Sequence, residues 1–166
     1  MVVLPENTLI RKADPGEHTL LTTIAFQAKC HWKYPQEYYE IWKDELTITE
    51  AYIRQNIVYV AEISGTVAGF YSIVDNDEDF HSGEVFVPKG FWLEHLFIMP
   101  EYHNRGIGQS MMKHAVKIAR EKGIESLLIF ADPFAKGFYD KIGARYLHDS
   151  KSSIPGRMIP VYELKI

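Results

Sequence analysis

HNRGIGQSMMKHAVKIAREKG, His103 to Gly123, joins two glycines one residue apart, Gly106 and Gly108, to an unbroken helical pattern. Apolar residues fall at Ile107, Met111, Met112, Ala115, Ile118 and Ala119, the spacing of one buried helix face. Gln109, Lys113, His114, Lys117, Arg120 and Glu121 take the opposite face. The preceding FWLEHLFIMP, Phe91 to Pro100, reads as a buried strand stopped by proline. The unit is therefore strand, glycine loop, helix. Glycines let a backbone approach a ligand closely, and the unpaired N–H groups of a first helical turn bind anions, aided by the helix dipole. With Arg105 and Lys113 nearby, the plain reading is a phosphate or pyrophosphate site. The same residues also fit a glycine turn that only lets a helix pack on a strand.

Two familiar phosphate motifs fail on the residues. A P-loop ends in Gly-Lys-Ser/Thr, whereas Gly108 precedes Gln109 and Ser110; a dinucleotide fingerprint needs a third glycine where Met111 stands. The flanking sequence instead resembles the GCN5-related N-acetyltransferase (GNAT) family. That family's strand ends in a V-x-P motif, matched by Ile98-Met99-Pro100, before a loop matched by His103-Asn104-Arg105-Gly106-Ile107-Gly108. A second motif, ADPFAKGFYDKIGA (Ala131 to Ala144), is similar to the family's "N-x-x-A-x-x-F-Y-x-K-x-G-F" segment through Ala135, Phe138, Tyr139, Lys141 and Gly143. The matched region spans about Phe91 to His148; the first ninety residues correspond only in element order. Three positions depart: His103 replaces Arg or Gln, Asp132 replaces Asn beside the expected cofactor arm, and Ala144 replaces an aromatic.

The resemblance implies a mixed α/β domain with a central, mostly antiparallel sheet and helices on both faces. It implies direct acetyl transfer from acetyl-CoA to a primary amine of a small molecule. A protein or peptide amine, or a non-catalytic acyl-CoA sensor, is the alternative. The amides of Arg105, Gly106, Ile107, Gly108, Gln109 and Ser110 would hold the pyrophosphate, with His103 and Asn104 in the same cofactor-binding loop. The backbone of Phe97, Ile98 and Met99 would align the pantetheine arm, with Asp132, Ala135, Phe138 and Tyr139 along it. Tyr139 matches the family tyrosine that serves the leaving thiolate; as an acid it starts at a pKa of about 10, against about 8.5 for a thiol.

Glu94 is the one carboxylate inside an otherwise apolar strand, and unpaired burial would be costly, so it needs a partner or a use. It falls at a position where the family often offers a base. Alternation sets Trp92, Glu94, Leu96 and Ile98 on one strand face and Leu93, His95, Phe97 and Met99 on the other. His95 is the rival base. The aromatic cluster Trp32, Tyr34, Tyr38, Tyr39 and Trp42 reads either as packing under a helix corner or as a wall of the acceptor pocket. Trp32, Tyr34, Tyr38 and Trp92 are the acceptor-side candidates.

The 166 residues suit one domain with a proper core, 1–166. A net charge of −4 argues against general nucleic-acid binding. Its distribution says more: up to Pro100 the chain has 7 Lys and Arg against 15 Asp and Glu, and from Glu101 onward 11 against 7. The basic part carries the phosphate loop, and the acidic part would suit a cationic amine. No apolar run is long enough to span a bilayer and no signal-peptide pattern occurs. The single Cys30 makes a reducing cytoplasm the expected setting. A homodimer stays open.

Asp75, Asp77 and Asp79 alternate as in a calcium loop, but the glycine and distal glutamate of that motif are missing, so no metal is expected and 75–84 reads as a solvated loop. No G-x-S-x-G marks a nucleophilic serine. Strands are expected at Thr8–Lys12, Val58–Ile63, Val67–Val74, Val85–Val87, Phe91–Ile98, Ser126–Phe130, Ala144–His148 and Met158–Lys165. Helices are expected after Asp14-Pro15, after a Thr47-x-x-Glu50 capping box, and over Phe134–Lys141.

Overall fold

The computed structural model describes residues 4, 5 and 7–166. The fold is mixed α/β, with a central, mostly antiparallel sheet flanked by helices. The chain forms two compact units, one from the residues up to Ile73 with His95–Ile118, the other from Val74–Glu94 with Ala119–Ile166.

In the first unit, β1 (Thr8–Lys12) leads to a short 3-10 turn, Pro15–Glu17, and then α1 (His18–Cys30). Asp14 caps the turn, accepting from the Gly16 amide, and Glu17 reaches back to the Asp14 amide at 2.8 Å. The two bonds satisfy donors that a helix start leaves open. Of the apolar face expected on α1, Leu21, Ile24, Ala25 and Ala28 are buried, and Leu20 faces outward. Next come α2 (Gln36–Trp42) and α3 (Glu50–Gln55). The cap of α3 is Thr49, whose Oγ1 accepts from the Tyr52 amide, and not Thr47, whose hydroxyl donates back to the Lys43 carbonyl. β2 (Ile57–Ile63) pairs with β1 and with β3 (Thr66–Asn76), both antiparallel. Ser64 and Gly65, both at positive φ, make the tight turn between β2 and β3.

The second unit opens with a hairpin of β4 (Phe80–Ser82) and β5 (Val85–Val87), where the sequence reading had a solvated loop over 75–84. Three residues of ladder with Val85–Val87 suffice to order a segment whose own composition is polar. β6 (Gly90–Ile98) and α4 (Ile107–Glu121) each begin in one unit and end in the other. Within the second unit β6 runs parallel to β7 (Ser126–Phe130), registered at Trp92 and Leu128. After α5 (Lys136–Lys141), β8 (Arg145–Lys151) and β9 (Met158–Lys165) complete an antiparallel order β7-β9-β8. β8 extends three residues past the expected His148. Gly143, at φ +90, ends α5 in the left-handed conformation that glycine adopts without a Cβ penalty.

The face of α4 predicted to be apolar is buried at Ile107, Met111, Met112, Ala115 and Ala119. Each such side chain removed from water contributes on the order of 1.5–3 kcal/mol for its larger members, enough to pin the helix start beneath the loop that precedes it.

Candidate active site

The glycine loop is built by three local devices. Pro100 opens a 3-10 turn, with Tyr102 and His103 amides donating to the carbonyls of Met99 and Pro100. Asn104 (φ +61) and Gly106 (φ +78) then take left-handed conformations, one residue apart. Such alternation points successive N–H groups into one concavity. Finally α4 starts at Ile107, and its first intrahelical bond runs from the Ser110 amide to the Gly106 carbonyl at 3.1 Å. The earlier amides of that turn have no intrahelical acceptor, by helix geometry. Arg105 is exposed, its guanidinium 5.4 Å over the Tyr102 ring. Amide donors, the positive end of a long helix and an arginine form a donor set that fits a pyrophosphate.

His103 faces this loop differently from a phosphate-binding arginine. Its Nε2 lies 3.1 Å from the Ile98 carbonyl, and its ring packs edge-on against His31 at 4.9 Å. It ties the end of β6 to the loop. Trp32, 6.4 Å from His103 and partly exposed, borders the same region. Tyr34 and Tyr38 pack at 5.1 and 5.5 Å around buried Trp42, with the Lys29 ammonium 4.5 Å above it.

At the end of β6 the Met99 amide donates to the Ala68 carbonyl at 2.8 Å. Gly69 lies so close to this strand that a Cβ there would come 2.5 Å from the Phe97 carbonyl, hence glycine. The Phe97 carbonyl and Met99 amide are thus turned toward β3. Strand alternation points the amides of Leu96 and Ile98 the other way, so Ile98, more than Phe97 or Met99, carries an amide suited to a pantetheine arm.

Glu94 is exposed, while its neighbours Trp92, Leu93 and His95 are buried. The premise that Glu94 is enclosed in an apolar strand therefore does not hold; the enclosed ionisable group is His95. Its Nδ1 stands 2.8 Å from Ser72 Oγ and 3.2 Å from the Tyr52 hydroxyl, and Tyr52 donates to Ser72 Oγ at 2.9 Å. Burial pulls the imidazole down to about 4, against an opposing bond to the Glu45 backbone. A neutral ring whose other nitrogen donates to Glu45 accepts at Nδ1 from Ser72. Ser72 and Tyr52 went unnoticed in the sequence, although a serine inside the apolar run of β3 is a recognisable signal of a buried polar partner.

In the second unit Tyr139, on α5, is buried, with rings of Phe138 and Tyr162 at 5.2 and 5.9 Å. Burial first, then the charge of Asp132, push its hydroxyl far above the ordinary tyrosine range, so it stays protonated. Asp132 Oδ1 accepts from the Phe134 amide at 3.0 Å, capping the turn Pro133–Ala135, and Oδ2 lies 3.7 Å from an Arg157 nitrogen. The carboxylate that replaces the family asparagine is used as a cap and an ion-pair partner. Ala135 is held in that turn, its amide donating to the Asp132 carbonyl. Trp92 is buried, stacked on Phe130 at 4.4 Å, with Nε1 donating to the Pro88 carbonyl.

Strand, αL-containing glycine loop and long helix define an acyltransferase of the acetyl-CoA-using kind, and comparison with known proteins agrees. The profile of the Acetyltransferase (GNAT) family matches residues 25–144. The chain belongs to this family, whose cosubstrate is acetyl-CoA. It is 24% identical over 135 residues to the 5-NmdU N-acetyltransferase of Pseudomonas phage PaMx11, covering 81% of this chain and 85% of the relative. It is 28% identical over 137 residues to the peptidyl-lysine N-acetyltransferase YjaB of Salmonella typhimurium, covering 75% and 86%. The crystal structure of the PaiA N-acetyltransferase from Thermoplasma acidophilum in complex with coenzyme A superposes with a TM-score of 0.72 at 20% identity, over 96% of this chain and 99% of that one.

Proposed function

We propose that this enzyme transfers the acetyl group of acetyl-CoA directly to a primary amine of a small molecule. The observation that carries the cofactor half is the loop itself: two left-handed residues, Asn104 and Gly106, feeding the first turn of α4. Amides of Arg105 to Ser110 hold the pyrophosphate, and the Ile98 amide takes the acyl arm. Acetyl-CoA supplies an acyl carbon already activated as a thioester.

The protein's own groups manage the protons. An alkylammonium has a pKa of about 10 and is almost wholly protonated at neutral pH, so attack needs a base. Glu94 is that base in this proposal: it is exposed, on the strand that leads into the loop, and able to relay a proton through water. The amine nitrogen bonds to the acyl carbon, the carbon–sulfur bond breaks, and the amine proton leaves through Glu94. Tyr139, held protonated by burial, donates a hydrogen bond to the departing sulfur. The similarity to YjaB favours a lysine-containing peptide as the second reading. The lone Cys30 supports a cytoplasmic setting.

Glu94→Gln tests the base. Loss of a general base lowers kcat/KM by about 10² to 10⁴ and removes the acid limb of the pH–rate profile. Unchanged turnover across pH would show that Glu94 is not the base.

A further inference from the structure

The chain from Ile98 to His103 folds back on itself. Pro100 stops β6, Pro100–Tyr102 form a 3-10 turn, and the His103 amide donates to the Pro100 carbonyl at 3.1 Å. That reversal returns the His103 side chain to the strand it follows, with Nε2 3.1 Å from the Ile98 carbonyl. A carbonyl only accepts, so Nε2 carries the proton and donates.

Strand geometry tells which edge of β6 the ring stands on. The N–H and C=O of one strand residue point to the same side. The Met99 amide is turned to Ala68 on β3, and the Phe97 carbonyl stands against Gly69. Ile98 therefore presents both its amide and its carbonyl to the opposite edge, the one proposed for the acyl arm. A pantetheine arm carries amides of its own. An arm that accepts from the Ile98 amide can donate to the Ile98 carbonyl in the same pairing. The donor already at that carbonyl is His103, so ring and arm compete for one strand edge.

The ring is also one of three in contact. His103 meets His31 edge-on at 4.9 Å and Trp32 in a stacked arrangement at 6.4 Å, and His31 and Trp32 meet at 4.8 Å. These two residues close α1, their amides donating back to the Gln27 and Lys29 carbonyls at 3.2 Å each. Trp32 is 36% exposed, whereas the other two tryptophans, Trp42 and Trp92, are buried. A movement of the His103 ring is therefore reported by Trp32.

We infer that His103 is a positioning residue that gates the acyl arm: its ring holds the Ile98 carbonyl until the arm takes that edge, and its departure is passed to the His31–Trp32 end of α1. The position at which the family carries Arg or Gln then acts in this chain as a competitor of the cofactor, and not as its ligand. The inference rests on the acetyl-CoA reading of the loop.

The test is calorimetric titration of coenzyme A into wild type, His103→Ala and His103→Gln, with tryptophan emission followed in parallel and Trp32→Phe as the blank. A protein whose binding edge is occupied part of the time binds with an affinity reduced by the fraction that is open. Removing the ring lifts that reduction. His103→Ala binds coenzyme A about two- to tenfold more tightly, the range of one neutral hydrogen bond. His103→Gln, whose carboxamide reaches as far as Nε2 and donates to a carbonyl, returns toward wild-type affinity. Coenzyme A shifts the emission of the wild type, and the shift is lost in Trp32→Phe and in His103→Ala. Melting temperatures show the variants folded. Weaker binding by folded His103→Ala would make the residue a cofactor ligand and overturn the inference. So would a wild-type emission that saturating coenzyme A leaves unmoved, or a shift that His103→Ala retains. No binding of coenzyme A by the wild type would strike the acetyl-CoA reading itself, and the gate with it.

Discussion

Acidification should destabilise this protein through one residue, His95. The ring is enclosed by Ser72, Tyr52 and the Glu45 backbone, and it titrates near 4 against 6.5 for a free imidazole. The folded state therefore refuses a proton that the unfolded chain accepts. Between these values the unfolded state binds more protons, so stability rises with pH; the contribution is complete above about 6.5 and drains away as pH falls toward 4. From pH 7.5 to pH 5 the loss integrates to about 2 kcal/mol, or about 4–8 °C in melting temperature for a chain of this size. Carboxylates act lower: Glu17, which its hydrogen bond to Arg11 holds below 4.5, loses its contribution only as pH falls through that lower range. Thermal or urea unfolding at pH 7.5, 6.0 and 5.0 measures the effect, with His95→Gln as the control whose curve is flatter over the same window. Equal pH dependence in wild type and His95→Gln, or a His95 ring that titrates near 6.5 by NMR, would refute the enclosure argument.

Two further outcomes follow from the loop and from Asp132. Gly106→Val places a β-branched residue at φ +78, at a cost of about 1–2 kcal/mol. It should raise the acetyl-CoA KM about tenfold with a smaller change in kcat, read from steady-state kinetics. Asp132→Ala removes the cap on the Phe134 amide and the partner of Arg157, and should cost about 1 kcal/mol in denaturant titration. Asp132→Asn, which still caps, should cost less than half of that.

Much of the architecture was legible because local chemistry and global fold agree. β1, β7 and β9 have the bounds expected of them, and Pro100, Gly143 and the Ser64-Gly65 turn punctuate the chain as their conformations require. The misses depend on which partner a residue finds, near or far in sequence, and residue type alone does not carry that. β4 lies in an acidic stretch and exists only as the partner of β5. Thr47 and Thr49 look alike as caps, and a bond from Thr47 to Lys43 decides between them. Alternation assigned Glu94 and His95 to opposite faces but could not tell which face is covered, since Trp92 and Leu93 on either side are both apolar. The partners that enclose His95, Ser72 and Tyr52, lie 23 and 43 residues away. The pairing of the Met99 amide with the Ala68 carbonyl likewise leaves no trace in the residue type.

The central claim, that the loop from His103 to Ser110 is an acetyl-CoA site, is tested most directly by thermal-shift titration with acetyl-CoA, free coenzyme A, NAD and ATP. A ligand at a hundred times its dissociation constant stabilises the folded state by roughly 2.7 kcal/mol, a shift of several degrees. The account predicts that shift with acetyl-CoA and coenzyme A, and its loss in Gly106→Val at the same concentration. No shift with either coenzyme A form, or an equal shift with NAD, would contradict it.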